Sequence, residues 1–579
     1  MPSGHQYMAS SKTSVHKLPT EILAKIFALL AVIDPPRRYT EAERKSLMFD
    51  EDGHFKAYDR SSIRSPIHWI EITHVCRYWR EIALSQCSLW MHPLLHLGPE
   101  WYLTFLRRAG SAPLTIELAD YCRRMVLRSS CIVPDAVFDA VLGQMDHVEV
   151  LKISSPAHPD ELSIFASYTT PSPMLQTLEI KNHSSKFPIY LRSSSIDYHP
   201  PKKGELPPPE TIFLGADFPR LQNVTLHGIS DDWLSMSFRN LVKLDVAHTE
   251  YIESYDPLLD ILESSLGLEF LSIVHALPHH CVSFVERPHR VVLPNLKAIT
   301  LSSNYDTCTA NVLRSIEMSA TVRIRLSFVK PTSDKYTALF AELRAHFSRS
   351  DPPSFQHLKI SASSHELLIG GSWPSSLTGL DMDEFGIHNK EPTSFFFSTP
   401  FHFDPEGVIR TAFDGFPLNC VKTLILHDAN SSELWDHVLT RPGFYHVTLI
   451  CIEDDFLRSR PDLHSSLTAM GEYDKNTHIF PKLQRIDIRK DDLIIGRPKN
   501  AGQSGQATLL AMCKRRYGTG SPVKTVRIVD CKVRGDSVTK LREVGPEVEQ
   551  VKVTDRPKSK TARLIQQLTK DDDDDDDIF

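Results

Sequence analysis

Two apolar rhythms run along this chain of 579 residues. The first has helical spacing. After Leu18-Pro19, the residues Ile22, Leu23, Ile26, Phe27 and Leu30 recur three or four positions apart. This predicts a helix that starts at proline, whose missing amide hydrogen would have had no intrahelical acceptor. Val75, Trp79, Ile82 and Ala83 repeat the spacing in a second short helix, and Leu89-Trp90 closes the unit. Together the two helices carry more large apolar side chains than so small a unit buries by itself. A partner is therefore expected, from elsewhere in the chain or from another protein.

The second rhythm begins near residue 145 and reads apolar-x-x-apolar-x-apolar. Thirteen good copies start at Val148, Leu175, Leu221, Leu241, Leu268, Leu296, Phe355, Leu377, Val421, Phe444, Leu483, Val523 and Val548, with a poorer one at Ile324-x-Leu326. The final step of two is a strand signal. Five copies carry proline two residues ahead of the first apolar anchor (Pro173, Pro219, Pro294, Pro481, Pro546), read as the start of a strand, where no ladder amide is needed. Helical stretches lie between copies: Asp256 to Glu263, Ser333 to Phe347, Ser431 to Leu439, Ala507 to Arg516 and Ser537 to Val544. Asp256-Pro257 is read as an N-cap followed by a first-turn proline. Strand, loop and helix in repetition predict stacked units, with parallel strands on one side and helices on the other.

The pattern Leu18-Pro-x-Glu-Ile-Leu-x-x-Ile-Phe27, then Val75-Cys-Arg-x-Trp-Arg-x-Ile-Ala83 and Leu89-Trp90, resembles the F-box, in the form common in mushroom-forming fungi. Arg108-Ala-Gly-Ser-Ala-Pro-Leu-Thr-Ile116 resembles that group's usual continuation. One departure is the connection between the helices, Ala31–His68, 38 residues rich in charge where a compact F-box has a short link. A surface insertion adds little loop-closure entropy, so the fold is expected to survive it. The later copies resemble leucine-rich repeats, since the closest starts lie 20 to 28 residues apart. The repeat's turn residue, Asn or Cys three positions after the last anchor, is present only at Asn304 and Cys531, so irregular loops are expected.

The expected fold is α/β: a small all-helical F-box followed by a curved leucine-rich-repeat-like solenoid with a mainly parallel sheet. The expected divisions are a disordered N-terminus (1–14), the F-box with its inserted loop (15–92, loop 31–68), the repeat array (93–554) and a disordered acidic tail (555–579). Insertions are placed near 192–210, rich in serine and proline, 389–416, with Phe395, Phe396, Phe397, Phe401 and Phe403 amid polar residues, and 490–506. The tail contains seven consecutive aspartates, Asp571–Asp577, a block that repels itself.

Chemistry changes this picture little. The net charge of −7 gives no nucleic-acid footprint, and the ten cysteines are scattered without a Cys-x-x-Cys pair. Met1–Ser11 is polar and no apolar run approaches the ~20 residues that span a bilayer, so neither a signal peptide nor a membrane partner is expected. His279-His280-Cys281 lacks a second ligand cluster and is read as loop. Lys514-Arg-Arg516 is read as a solvated helix end rather than a nucleic-acid patch. No catalytic residue, metal or cofactor is expected.

The resemblance implies a non-catalytic adaptor of a Skp–cullin–F-box ubiquitin ligase in the cytosol or nucleus, its repeats holding an unknown protein substrate. The alternative is a repeat scaffold without a ligase partner. The residues implied to contact the Skp-type adaptor are Leu18, Pro19, Ile22, Leu23, Ile26, Phe27, Val75, Cys76, Trp79, Ile82 and Trp90. Phe395, Phe396, Phe397 and Phe401 are the candidates for contacting substrate, because a polar segment has little cause to carry them unless they pack inward or meet a partner.

Overall fold

The structure, a computed structural model, describes residues 18–36, 67–118, 135–155, 170–182, 217–229, 233–248 apart from 235 and 237, 254–277, 287–328 apart from 304, 336–348, 354–372 apart from 363–365, 394–400, 405–427, 444–453, 480–489 and 505–551 apart from 530 and 532–534. The N-terminal segment, the body of the insertion in the helical unit, the segments 192–210 and 490–504, the copy at Leu377, the helix at Ser431, His279-His280-Cys281, Phe401 and the acidic tail lie outside these residues. The chain divides into two compact units, Met1–Pro278 with Val291–Asn295, and His279–Arg290 with Leu296–Phe579.

The first unit opens with α1 (Thr20–Ile33), a 3-10 segment (His68–His74), α2 (Arg77–Ser85), a second 3-10 segment (Cys87–Trp90) and α3 (Pro99–Ala109). Strand β1 (Leu114–Leu118), helix α4 (Asp135–Leu142), then β2 (Val148–Ser155), β3 (Thr177–Asn182), β4 (Asn223–His227) and β5 (Lys243–Ala247) follow. Helix α5 (Asp256–Glu263), β6 (Phe270–Val274) and the short β7 (Val291–Leu293) complete it. Strands β1 to β6 pair in chain order, all parallel. Ile116, Leu151, Leu178, Val224, Leu244 and Leu271 stand side by side in this register and are buried. From Leu151 onward this row is the second anchor of each copy, so the rhythm specifies the register as well as the strands.

The strand starts repeat one hydrogen-bond device. The carbonyl of Gln222 accepts from the amides of Val242 and Lys243 (2.8 and 3.0 Å), and Val242 does the same for Glu269 and Phe270 (2.8 and 3.1 Å). Three of the five prolines differ from the sequence expectation, while Pro546 directly precedes β18 (Glu547–Val551) as expected. Pro173, Pro219 and Pro481 lie in a four-residue turn ahead of the strand, closed by Leu175 to Ser172 (3.3 Å), Leu221 to Phe218 (3.1 Å) and Leu483 to Phe480 (3.0 Å). Proline's fixed φ suits the second position of such a turn. Asp256 is not the cap of α5 either: Tyr255 holds that position, and the Ser254 hydroxyl accepts from the Asp256 amide at 3.2 Å.

Three successive strands end on left-handed backbone at Gly228 (φ 68°), His248 (52°) and His275 (51°). The imidazoles of His248 and His275 stack with centroids 5.3 Å apart. They occupy the turn where irregular loops were expected, two residues after the anchors Val246 and Ile273. Burial, with His248 alongside, pushes His275 down to about 4. Below its ordinary value of 6.5 the unfolded chain gains a proton that the folded chain refuses until about pH 4, so this residue costs stability as pH falls through that window. The variant His275→Asn, which keeps a residue tolerant of left-handed backbone, should lose less melting temperature between pH 7 and 4.5 than the native chain. Equal losses would remove His275 as the cause.

The second unit contains β8 (Ala298–Ser303), α6 (Asp306–Ser315), β9 (Ile316–Met318), β10 (Arg323–Phe328), α7 (Thr337–Phe347), β11 (His357–Ala362), β12 (Glu366–Ser372) and β13 (Phe395–Pro400). Then come α8 (Pro405–Gly415), β14 (Thr423–His427), β15 (Leu449–Glu453), β16 (Arg485–Arg489), α9 (Gly505–Gly518), β17 (Thr525–Val529), α10 (Gly535–Val544) and β18 (Glu547–Val551). Its sheet runs β8-β10-β13-β12-β11-β14-β15-β16-β17-β18 and is parallel except for β12, which is antiparallel to both neighbours. Two copies are out of register with the sequence reading. Ile450 lies level with Leu424 and Ile486, so the anchors are Val447, Ile450 and Ile452, and Phe444 closes the preceding turn to Val447 at 3.1 Å. Val548 lies level with Val526 and is a second anchor, not a first.

Strands β12 and β13, absent from the repeat pattern, separate β10 from β11. Phe395 and Phe397 point from β13 into the core and are fully buried. Phe395 meets Phe416 at 4.8 Å, while Phe397 meets Phe340 and Tyr336 at 5.3 Å each. This corrects their candidacy as substrate contacts: strand alternation turns them into an aromatic cluster. Only Phe396 faces outward, half-buried, with the Arg325 guanidinium 4.9 Å above its ring. A Cβ at Gly371 would lie 2.7 Å from the Phe355 ring. Gly371→Val should therefore cost about 1–3 kcal/mol through overpacking, read as a lower denaturation midpoint; an unchanged midpoint would contradict this packing. Arg516 is buried, donating to the Phe480 carbonyl at 2.9 Å, which corrects its reading as part of a solvated helix end.

Candidate partner-binding site

Helix α1 carries two apolar stripes. Leu23 and Phe27 form the first and are buried, the Phe27 ring lying 5.2 Å from that of Trp79 on α2. Leu18, Ile22, Ile26, Leu29 and Ile33 form the second and are exposed: Ile22 is 42% and Leu29 61% accessible. Successive members are three or four residues apart, so they share one face over the whole helix. Pro19 and Val75, the latter 61% accessible, are also exposed. A contiguous apolar stripe of this length on a surface marks an interaction site rather than scattered exposure.

The residues read from sequence as adaptor contacts fall into two sets. Leu18, Pro19, Ile22, Ile26 and Val75 are outside. Leu23, Phe27, Ile82 and Trp90 are inside, which corrects their placement, since a buried side chain cannot meet a partner in the folded chain. Cys76 and Trp79 are half-buried: the Cys76 sulfur accepts from the Trp79 amide at 3.4 Å and caps α2. Sequence reading missed Leu29 and Ile33. They continue the step of three or four from Leu18, Ile22 and Ile26 and were legible there, had the stripe been followed beyond Ile26.

Trp90 explains how the helices are held. Its indole N–H donates to the Ala83 carbonyl at 2.9 Å, and its ring meets Phe105 at 4.9 Å and Trp69 at 5.3 Å. The Arg108 guanidinium lies 4.4 Å over the same ring. Phe105 and Arg108 belong to α3, and the Thr115 amide of β1 donates to the Met91 carbonyl at 2.9 Å. The helices are thus fixed to the first strand through one side, while the second stripe of α1 faces away from this contact into solvent.

The insertion leaves and returns at one point. The His68 imidazole lies 2.6 Å from the Asp34 carboxylate, and the Trp69 amide donates to the Asp34 carbonyl at 3.3 Å. Joining its ends this closely lets the helical unit keep its packing. Among the described residues no cluster of metal-ligating side chains exists, and no helix is long and apolar enough to cross a membrane.

No curated protein matches the chain. A family model does match, F-box-like, over residues 15–96, a range that contains α1, α2, both exposed and buried stripes, and Trp90. The helical unit at the start of the chain is therefore an F-box-like domain.

Proposed function

We propose that the chain is the non-catalytic substrate-recognition subunit of a Skp–cullin–F-box ubiquitin ligase. The exposed stripe of α1 docks on a Skp-type adaptor, and the two sheet units, read as a degenerate leucine-rich-repeat solenoid, hold a protein substrate. The contribution to catalysis is proximity: keeping a substrate lysine beside the charged conjugating enzyme raises effective concentration. The setting is cytosolic or nuclear. The observation that carries this reading is the exposure of Leu18, Ile22, Ile26 and Leu29 on a domain whose other face is fixed to the sheet. A domain that served only to cover the sheet would have no reason to keep five large apolar side chains in water. The intact chain should form a one-to-one complex with a purified Skp-type adaptor on size exclusion; two separate peaks at micromolar concentration would reject the proposal.

One observation favours the alternative, a repeat scaffold without a ligase partner. Met91 bonds the edge of β1 and Trp90 anchors α3, and repeat arrays require a cap. The scaffold reading predicts a chain that binds no adaptor yet depends on its helical unit for stability.

A further inference from the structure

We propose that the aspartate block Asp571–Asp577 docks in cis on the outward face of strands β10 to β11 and occupies it. Arg325, Phe396, Gly370 and Lys359 form one row across β10, β13, β12 and β11. Arg323 is exposed one step along β10, and Lys422 is exposed at the start of β14. No described carboxylate pairs with Arg323, Arg325, Lys359 or Lys422. The acidic residue on these strands is Glu366, level with Pro400 and four residues along β12 from Gly370, about 13 Å away at the rise of a strand.

Farther along this unit's sheet, described strand arginines have carboxylates beside them. The Arg485 guanidinium is taken by Asp487 at 2.6 Å, and Arg527 lies 3.8 Å from Glu549. An acidic ligand therefore finds cations without a described carboxylate partner at β10 to β11, whereas Arg485, Arg489 and Arg527 already face Asp487 or Glu549. Gly370 is itself buried at the centre of the row, so a ligand's carboxylates are met by the side chains on either side of it, Arg323 and Arg325 on β10 and Lys359 and Lys422 toward β14.

The chain itself supplies such a ligand. Asp571 lies 20 residues beyond Val551, the last residue of β18, a reach of about 65 Å when extended. From β18 to β10 is eight strand spacings, about 38 Å. Tethering places the block at an effective concentration on the order of millimolar, which compensates for the weakness of each exposed ion pair. Occupancy is expected to fall with salt. The proposal does not depend on adaptor docking, which uses the other unit.

The test uses the full-length chain and a fluorescein-labelled hepta-aspartate peptide at low salt, with anisotropy as readout. Replacing Asp571–Asp577 by serine should tighten peptide binding at least tenfold relative to the native chain, by freeing the face. Adding R323E and R325E to the serine variant should abolish that binding. Carbodiimide cross-linking of the native chain should join tail aspartates to Lys359 or Lys422, and 0.5 M salt should suppress it. Equal peptide binding by native and serine-tailed chains would overturn the proposal and leave the face to an acidic partner in trans. No binding to the serine variant, or binding unmoved by R323E and R325E, would overturn the site itself. Unchanged melting temperature in each variant separates these results from misfolding.

Discussion

The double substitution Ile22→Asp and Ile26→Asp should weaken binding to a Skp-type adaptor by at least 100-fold while leaving the melting temperature within about 2 °C of the native value. Both side chains sit on the exposed stripe of α1. Large apolar side chains at the centre of an interface are each worth about 2 kcal/mol or more, and an aspartate forced into an apolar contact adds the cost of an unpaired buried charge. Surface substitutions away from special features change stability by only about 0.5 kcal/mol. The companion variant Phe27→Ala, one position along the helix, should do the reverse in order of cause: it empties a fully buried site beside Trp79 and should destabilise by about 3–5 kcal/mol, losing adaptor binding only as folding is lost. Titration calorimetry against the adaptor, paired with thermal melts, reads both. Native-like affinity in the double variant would leave the scaffold reading standing.

Phe397→Ala should destabilise the second unit by about 3–5 kcal/mol, whereas Phe396→Ala should change stability by less than about 1 kcal/mol. The contrast comes from strand alternation. Phe397 is fully buried among Phe340, Tyr336 and Phe328, and truncation leaves a cavity that three rigid rings cannot close. Phe396 points outward beneath Arg325 and loses a half-exposed contact. Denaturant unfolding with a probe in the second unit compares the two. Similar effects at both positions would mean that the register of β13 is wrong.

How much of this was legible before the fold was known follows from period and from what period leaves out. A step of 3.6 identified α1 and α2 from Ile22 to Ala83, and a closing step of two identified β2 to β6, β8, β11, β14, β16 and β17, since one buried face requires that spacing in each case. The same rhythm slipped at Phe444 and Val548. An apolar residue that closes a turn looks like one that fills a strand until neighbouring strands establish the level. Strands β12 and β13 were invisible because they follow no repeat, β12 running antiparallel to both its neighbours, and the destination of Phe395 to Phe397 depended on them.

Sequence by itself determined that the chain begins with two amphipathic helices bearing a surplus of apolar side chains, and that strands recur after them in parallel-sheet fashion. Local spacing suffices for that, because it selects which face an element must bury. Only the tertiary structure decided which half of the surplus is spent internally: Leu23, Phe27, Ile82 and Trp90 against Trp79, Ala83 and Phe105, with Leu18, Ile22, Ile26 and Leu29 left in water. Both sets have the same spacing and the same chemistry. What distinguishes them is the position of α2, α3 and the edge of β1, which is a matter of distant parts of the chain meeting in space.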